Sequence, residues 1–459
     1  MNKEYTYLNL LTLALFLTFS SCQKKTDYVI LSGTIKNGNK TIELRSHYDT
    51  TDKSKRKIIH LDENGAFLDT ISIPKEELYL IGDKINKIQF YLTPSSEYIL
   101  DYDTKKFKSD GITLKGDDID INEYYIDKAR GIAFYDFNES GKSENEIRSF
   151  LNNVKVKQLE RLKTSKLPSS LKRHEEASIK YEYLRYLSLF ISLNEIDKPS
   201  IETIRELDVD YLNEEDYKKY EPYKTLVTDY YFEQLGQKEK ESKKLNPSYS
   251  LYQNAIKETS SIIPNDYMKN DLIAHFAPNF LLDSKDIKSS YNDFKKYYTG
   301  NDTLIKAEML DLYYRFAKLK KGTPSPNFTK YKNYNGGENS LNDFKGNYVF
   351  IDIWGAWCGN CYREMPYLKK LEQEYKNIVF LSIAWKDDED RWRKTIKKES
   401  LTGIQLFATK DDNSFFEEYA VKGVPRHILI DPEGNIVDYS TPSPSDVKLR
   451  ALFKDVGID

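Results

Sequence analysis

The chain has 459 residues and only 3 cysteines, and two of those stand close together. Cys358 and Cys361 form a C-x-x-C within Trp357-Cys358-Gly359-Asn360-Cys361, while Cys22 lies far off near the N-terminus. A pair at this spacing can supply half of a zinc site, attach a haem, or exchange disulfides. A structural zinc site needs four Cys or His ligands. No second cysteine pair exists here, and His427 is the only histidine nearby. A c-type haem needs His directly after the second cysteine, and position 362 is Tyr. No metal and no other cofactor is therefore expected, and thiol–disulfide exchange is the chemistry left.

That chemistry needs a thiolate, so the elements around the pair matter. Asn347 to Ile353 reads as a strand, and Cys358 follows it after a short turn. A helix is expected to start near Gly359. Free N–H groups and the dipole at a helix start favour negative charge, and such settings lower a thiol pKa from about 8.5 toward about 7. Cys361 lies one turn on and points back at Cys358. The expected cycle has two steps. Cys358 attacks a substrate disulfide, and Cys361 resolves the mixed disulfide.

Further elements alternate after the punctuation Lys320-Lys321-Gly322-Thr323-Pro324-Ser325-Pro326. Cys361 to Tyr375 reads as a helix, Ile378 to Ala384 as a strand and Arg391 to Lys398 as a helix. His427 to Ile430 and Ile436 to Tyr439 read as strands joined by a turn at Pro432-Glu433-Gly434-Asn435. Alternation of this kind makes an α/β layer fold.

The motifs in order are Gly322-x-Pro324-x-Pro326-x-Phe328, Leu341-Asn342-Asp343-Phe344-Lys345-Gly346, Trp354-x-x-Trp357-Cys358-x-x-Cys361-x-x-Glu364-x-Pro366 and Gly423-Val424-Pro425. Together they resemble the TlpA/ResA family of membrane-tethered thioredoxins over nearly all of residues 322–459. The resemblance implies a thioredoxin fold and exchange with protein disulfides. It implies that Val424-Pro425 is a cis-proline loop facing the cysteines. Such a loop blocks metal binding at the thiols and pairs its backbone with an extended substrate segment, as strand addition does. Trp357 would shape the surface beside it, and Trp354 the surface or the core. Pro366 matches a proline that kinks the active-site helix.

Two carboxylates match proton-handling positions of the family. Asp352, six residues before Cys358, matches the buried aspartate of thioredoxin proper. Glu364, three after Cys361, matches the buried glutamate of the extracytoplasmic branch. Burial holds a carboxyl proton to higher pH, so either could take the proton from Cys361. The plain alternative for Glu364 is an exposed residue in the first helical turns. Gly359-Asn360 lacks the His found between the cysteines of strongly oxidising relatives, which implies a reductase. The implied partners are a substrate protein carrying a disulfide and a membrane electron-donor protein.

The N-terminus carries different information. Lys3 precedes an apolar run, Leu8 to Phe19, too short for the ~20 residues of a membrane-spanning helix. It reads as a secretory signal. Phe19-Ser20-Ser21-Cys22 resembles a lipobox, which implies cleavage before Cys22 and lipid on it. The alternative is an ordinary cleaved signal with an incidental cysteine. With Cys22 lipidated, no cysteine is left for a structural disulfide. An exported chain that keeps one close pair keeps it for chemistry. The expected location is the cell envelope, lipid-anchored and facing the periplasm.

Between these ends the expected architecture is multi-domain: signal peptide 1–21, antiparallel β-sandwich 22–117, helical region 118–321 and α/β thioredoxin fold 322–459. Tyr28 to Ile35, Thr41 to Leu44, Ile88 to Leu92 and Tyr98 to Leu100 are short β-rich runs. Asn37-Gly38 is a hairpin signal between the first two, and Glu63-Asn64-Gly65 marks another turn. The arrangement resembles the β-domain that precedes thioredoxin domains in some Gram-negative lipoproteins.

Helical spacing follows. Ile305, Met309, Leu312, Tyr313, Phe316 and Leu319 share a face, as do Tyr183, Tyr186, Leu187, Phe190 and Ile191, and Val227, Tyr230 and Tyr231. Such stripes read as core, with a binding groove as the alternative. Pro264 is a helix boundary. A net charge of −3 with 69 basic and 72 acidic residues favours no nucleic acid. Two other functions fit the composition: a partner-binding or assembly lipoprotein with a non-catalytic thioredoxin domain, and a disulfide oxidase or isomerase.

Overall fold

Alternating burial along the first strands sets the architecture of the N-terminal part. The computed structural model describes residues 26–38, 40–46, 56–82, 87–137, 141–194, 196, 198–245, 251–282, 284, 286–408 and 414–458. The signal run Leu8 to Phe19 and Cys22 lie outside the described residues. Two compact units, Met1–Tyr230 and Tyr231–Asp459, divide the chain.

Among its described residues the first unit begins with eight strands: β1 (Tyr28–Lys36), β2 (Thr41–Ser46), β3 (Arg56–His60), β4 (Ala66–Ser72), β5 (Glu77–Gly82), β6 (Lys87–Leu92), β7 (Glu97–Asp103) and β8 (Ile112–Gly116). They form two sheets, ordered β4-β1-β7-β8 and β3-β2-β5-β6. Val29, Leu31 and Leu100 of one sheet share an apolar cluster with Ile42, Leu44 and Phe90 of the other.

Two details differ from the sequence reading. Asn37-Gly38 does not close a hairpin, because β1 and β2 lie in different sheets. Asn37 takes a left-handed conformation, φ 57°. Its side chain donates to Asp103 Oδ1 at 2.8 Å and its carbonyl accepts from Thr104 Oγ1 at 2.8 Å. The turn is thus tied to the end of β7, and the chain crosses to the second sheet. The first sheet is also mixed, since β1 pairs with β7 in parallel. A parallel pair needs a long connection, and the strands of the second sheet lie within it. Asn122 covers the edge of β6, accepting from Tyr91 N–H at 2.7 Å and donating to Tyr91 O at 2.9 Å. The backbone groups of Tyr91 are thereby taken up at this edge.

Helices follow: α1 (Ile119–Arg130), α2 (Glu144–Thr164), α3 (Ser169–Leu193), α4 (Ile201–Leu207), α5 (Glu214–Lys219) and α6 (Glu221–Leu245), inside which the two units divide. Tyr183, Leu187, Phe190 and Ile191 are buried along α3, so that stripe is core.

The second unit adds α7 (Leu251–Ile262), α8 (Asp266–Leu282), α9 (Ile287–Tyr297) and α10 (Thr303–Lys318). The break at Pro264 falls between α7 and α8, and Met309, Leu312 and Phe316 of α10 are buried. Then come β9 (Tyr331–Asn333), β10 (Glu338–Asn339), β11 (Tyr348–Trp354), α11 (Gly359–Glu374), β12 (Ile378–Ala384), α12 (Glu389–Glu399), β13 (Ile404–Phe407), α13 (Ser414–Glu418), β14 (Arg426–Ile430), β15 (Ile436–Asp438) and α14 (Val447–Asp455).

These strands form one sheet, β10-β9-β13-β12-β11-β14-β15. β11 sits inside it, parallel to β12 and antiparallel to β14. Burial on both faces explains why it is apolar apart from Asp352. Phe350, Leu371, Leu449 and Phe453 form one core cluster, and Trp354, Met365, Trp392 and Phe407 surround the cysteines in another. The segment after α10 is not a free linker. Gly322 N–H donates to Ile436 O at 2.8 Å, Ile436 N–H to Thr323 O at 2.8 Å and Ser325 N–H to Gly434 O at 3.0 Å.

Candidate active site

The end of β11 and the start of α11 place the cysteines. Cys358 is the N-cap of α11, in extended backbone conformation. Cys361 N–H donates to Cys358 Sγ at 3.0 Å, so a helix-start donor is aimed at the first sulfur. The two cysteines are disulfide-bonded, with Cα atoms 5.3 Å apart. Both are nearly buried, at 5% and 3% exposure, while Trp357 is 47% exposed beside them. The Val424–Pro425 peptide bond is cis. The Val424 carbonyl oxygen lies 3.6 Å from Cys358 Sγ. Val424 and Ala356 pack against the cysteine cluster. Cys358, Cys361, Trp357, Val424 and Pro425 are thus brought together at one place. Trp354 is core, and Pro366 lies within α11.

The turn that carries Cys358 is held by residues that sequence reasoning missed. Asp387, buried three residues after β12, accepts from Ala356 N–H and pairs with Arg391 at 2.6 Å. Tyr362 hydroxyl donates to Ala356 O at 3.2 Å. Trp385 N–H donates to Trp354 O at 2.9 Å, and its ring lies 6.4 Å from that of Trp357. The available signal was Lys386-Asp387-Asp388 after an apolar strand, where Asp388 N-caps α12.

The carboxylates are placed unequally. Register sets Asp352 opposite Ser382 on β12 and opposite His427 on β14. Register neighbours point to one face of a sheet. Ser382 Oγ accordingly donates to Asp352 Oδ2 at 3.4 Å, and His427 Nε2 lies 3.4 Å from Oδ1. Asp352 and His427 are buried, and the His427 ring stacks on Phe350. Glu364 departs from the burial its family match implies. It is half-buried, and Ser445 occupies both its oxygens through N–H at 2.9 Å and hydroxyl at 2.8 Å.

A third carboxylate, Glu372 of α11, has a raised pKa. Burial pushes it up, and the Asp352 charge adds to the shift against the Thr402 hydroxyl and two lysines. Nothing in its sequence setting marked it, because the α11 residue and the β11 residue meet only in the folded sheet–helix layer. Among the described residues no group of three or more His, Cys, Asp or Glu is placed to hold a metal ion.

This fold and this cysteine pair define a thioredoxin-like protein built for thiol–disulfide exchange. A Redoxin family model matches residues 320–452. The thiol-disulfide oxidoreductase ResA of Bacillus thuringiensis subsp. konkukian is 33% identical over 140 residues, spanning 30% of this chain and 80% of that one. ResA of Bacillus subtilis is 30% identical over 124 residues, spanning 27% and 68%. A crystal structure of the thioredoxin domain of a thiol-disulfide oxidoreductase from Bacteroides vulgatus has 33% identity and a TM-score of 0.28, spanning 30% of this chain and 98% of that one. The chain belongs to the ResA family of thiol-disulfide oxidoreductases and is an oxidoreductase.

Proposed function

We propose that the chain is a lipid-anchored reductase of protein disulfides in the cell envelope, facing the periplasm. The observation that carries the exchange chemistry is Cys361 N–H aimed at Cys358 Sγ beside the Val424 carbonyl. In the reduced protein the Cys358 thiolate attacks one sulfur of a substrate disulfide. That disulfide breaks, the other substrate sulfur leaves as a thiolate and takes a proton, and the attacked sulfur stays bonded to Cys358 as a mixed disulfide. Cys361 then loses its proton and attacks Cys358 sulfur. The second substrate thiolate leaves, and two electrons have passed to the substrate. Asp352 receives the Cys361 proton, with Glu364 as the second candidate. Trp357, Val424 and Pro425 bind the substrate segment. A dithiol of a membrane electron-donor protein returns the two electrons.

Residues 322–459 carry the chemistry, and residues 27–321, read as a small β-sandwich and a helical region, choose or position the partner. No cysteine after Cys22 lies in those regions, which supports this division. Among the described residues no helix is long and apolar enough to cross a membrane. Lipid on Cys22 supplies the tether, and mass spectrometry of the mature N-terminus should find diacylglyceryl-Cys22. Trapping with Cys361→Ser tests the exchange reading directly. Disulfide-linked partner proteins should accumulate on Cys358. A reduction potential above that of protein disulfide isomerase would replace the reductase with an oxidase.

A further inference from the structure

We propose that α10 is a positioning element for the loop that pairs with substrate, and that Glu308 and Arg315 are its positioning residues. The inference rests on the exchange reading above and deepens it. The loop runs from the end of α13 to Pro425. Its first half is fixed from inside. Tyr419 is fully buried and its hydroxyl shares a 2.6 Å hydrogen bond with Ser325. Ala420 N–H donates to Glu417 O at 2.9 Å, and Val421 N–H to Phe416 O at 2.7 Å. Its second half turns outward. Lys422 and Gly423 are exposed, and no atom lies within 4 Å of where a Gly423 side chain would begin. This open half delivers the Val424 carbonyl to Cys358.

α10 holds both halves. Arg315 Nη1 donates to Glu417 O at 2.7 Å, the carbonyl that also accepts Ala420 N–H. A cation on the last carbonyls of a helix satisfies acceptors that the helix leaves free. Asp311 fixes the same guanidinium at 2.8 Å. Glu308 pairs with Lys422 Nζ at 3.2 Å, two residues before Val424. The helix itself is firmly mounted. Phe316 is buried with its ring stacked on Tyr439 at 5.9 Å, and the Arg426 guanidinium lies 5.7 Å from the same Tyr439 ring. At its C-terminal end the hydrogen bonds of Gly322, Thr323 and Ser325 sew the chain to β15 and the turn before it. A helix fastened at one end and bonded to the loop along its length sets where the loop can lie. A spacer needs none of these bonds.

The consequence is selective. An extended peptide uses the Val424 backbone, whereas a small disulfide needs only the sulfur. The test is the full chain carrying Glu308→Ala and Arg315→Ala together. Both side chains are partly exposed, so their truncation opens no cavity in the core. Two readouts apply. The amide protection of Ala420 and Val421 should fall about five- to tenfold, the scale of a lost hydrogen bond and ion pair. The rate of exchange with a disulfide-bonded peptide should fall about as much. The rate with hydroxyethyl disulfide should change less than about twofold, since no loop contact is involved. Glu308→Lys with Lys422→Glu should recover both losses relative to Glu308→Lys alone. Unchanged protection overturns the proposal, as does an equal fall for both disulfides or a fall for neither. If the parent protein exchanges with neither disulfide, the functional reading fails, and the amide protection alone decides whether α10 holds the loop.

Discussion

His427 Nε2 lies 3.4 Å from Asp352 Oδ1, one strand across from the strand that leads to the cysteines. Asp352 therefore does not face apolar groups alone. Ser382 on one side and His427 on the other give its carboxyl polar neighbours supplied by register. On the proposed reading this carboxyl receives the Cys361 proton.

Asp352→Asn should slow resolution by Cys361 more than attack by Cys358, by about a hundredfold at neutral pH, the lower end for one proton-transfer group. Stopped-flow measurement of both steps across pH checks this. Equal wild-type rates for the two steps would move the proton task to Glu364 or water.

Cys361→Ser should stop turnover yet leave attack intact, so mixed disulfides build up. Cys358→Ser should build up none. Non-reducing gels of both variants after exposure to a disulfide substrate separate the two roles. Trapping on Cys361 in the Cys358→Ser protein would reverse the assignment.

Glu372 gives a pH-dependent stability with a defined sign. Its folded pKa is raised above the ordinary value of 4.5, chiefly by burial. The folded state thus keeps this proton to higher pH than the unfolded chain does. The contribution is fully present below the ordinary value and is lost as pH rises through the folded one. Glu372→Gln cannot ionise and keeps an oxygen for the Thr402 hydroxyl. Its stability relative to the parent should therefore rise between about pH 4 and about pH 7. Denaturant midpoints at the two values provide the measurement, and an opposite trend would refute it.

Asp387 anchors the turn before Cys358, since its buried carboxylate accepts from Ala356 N–H and pairs with Arg391. Asp387→Ala leaves a half-buried donor unmet and breaks a partly buried pair, so it should destabilise by about 1–3 kcal/mol. It should also slow attack by Cys358, because the turn is freed. Denaturation and peptide-exchange rates measure the two effects separately.

Phe316→Ala should destabilise the second unit by about 3–5 kcal/mol, the range for a buried aromatic truncated to alanine. Its ring is 1% exposed and stacks on Tyr439. A loss below 1 kcal/mol would mean that α10 is only loosely docked, and thermal or chemical denaturation decides.

Much of the exchange site was legible in the residue order. Cys358 and Cys361 are neighbours along one helical turn, so their meeting needs only local structure. The alternation after Gly322 exposed β11, α11, β12 and α12 within a residue or two, because each is long enough to show its period. The strands at Tyr331–Asn333, Glu338–Asn339 and Ile404–Phe407 were not legible. Two to four residues show no period, and their pairing partners are distant in the chain.

Position across the fold is a different kind of information. Asn37-Gly38 has hairpin composition, yet competing partners for β1 and β2 sent them to different sheets. Glu364 and Asp352 look equally apt by spacing from the cysteines. Only the three-dimensional arrangement gave one a buried register with Ser382 and His427 and gave the other to the Ser445 loop. Glu372, Asp387, Glu308 and Arg315 act on groups far away in sequence. Local spacing by itself determined where a thiolate could form. Long-range packing decided which charges surround it, because a charge takes its neighbours from every element folded against it.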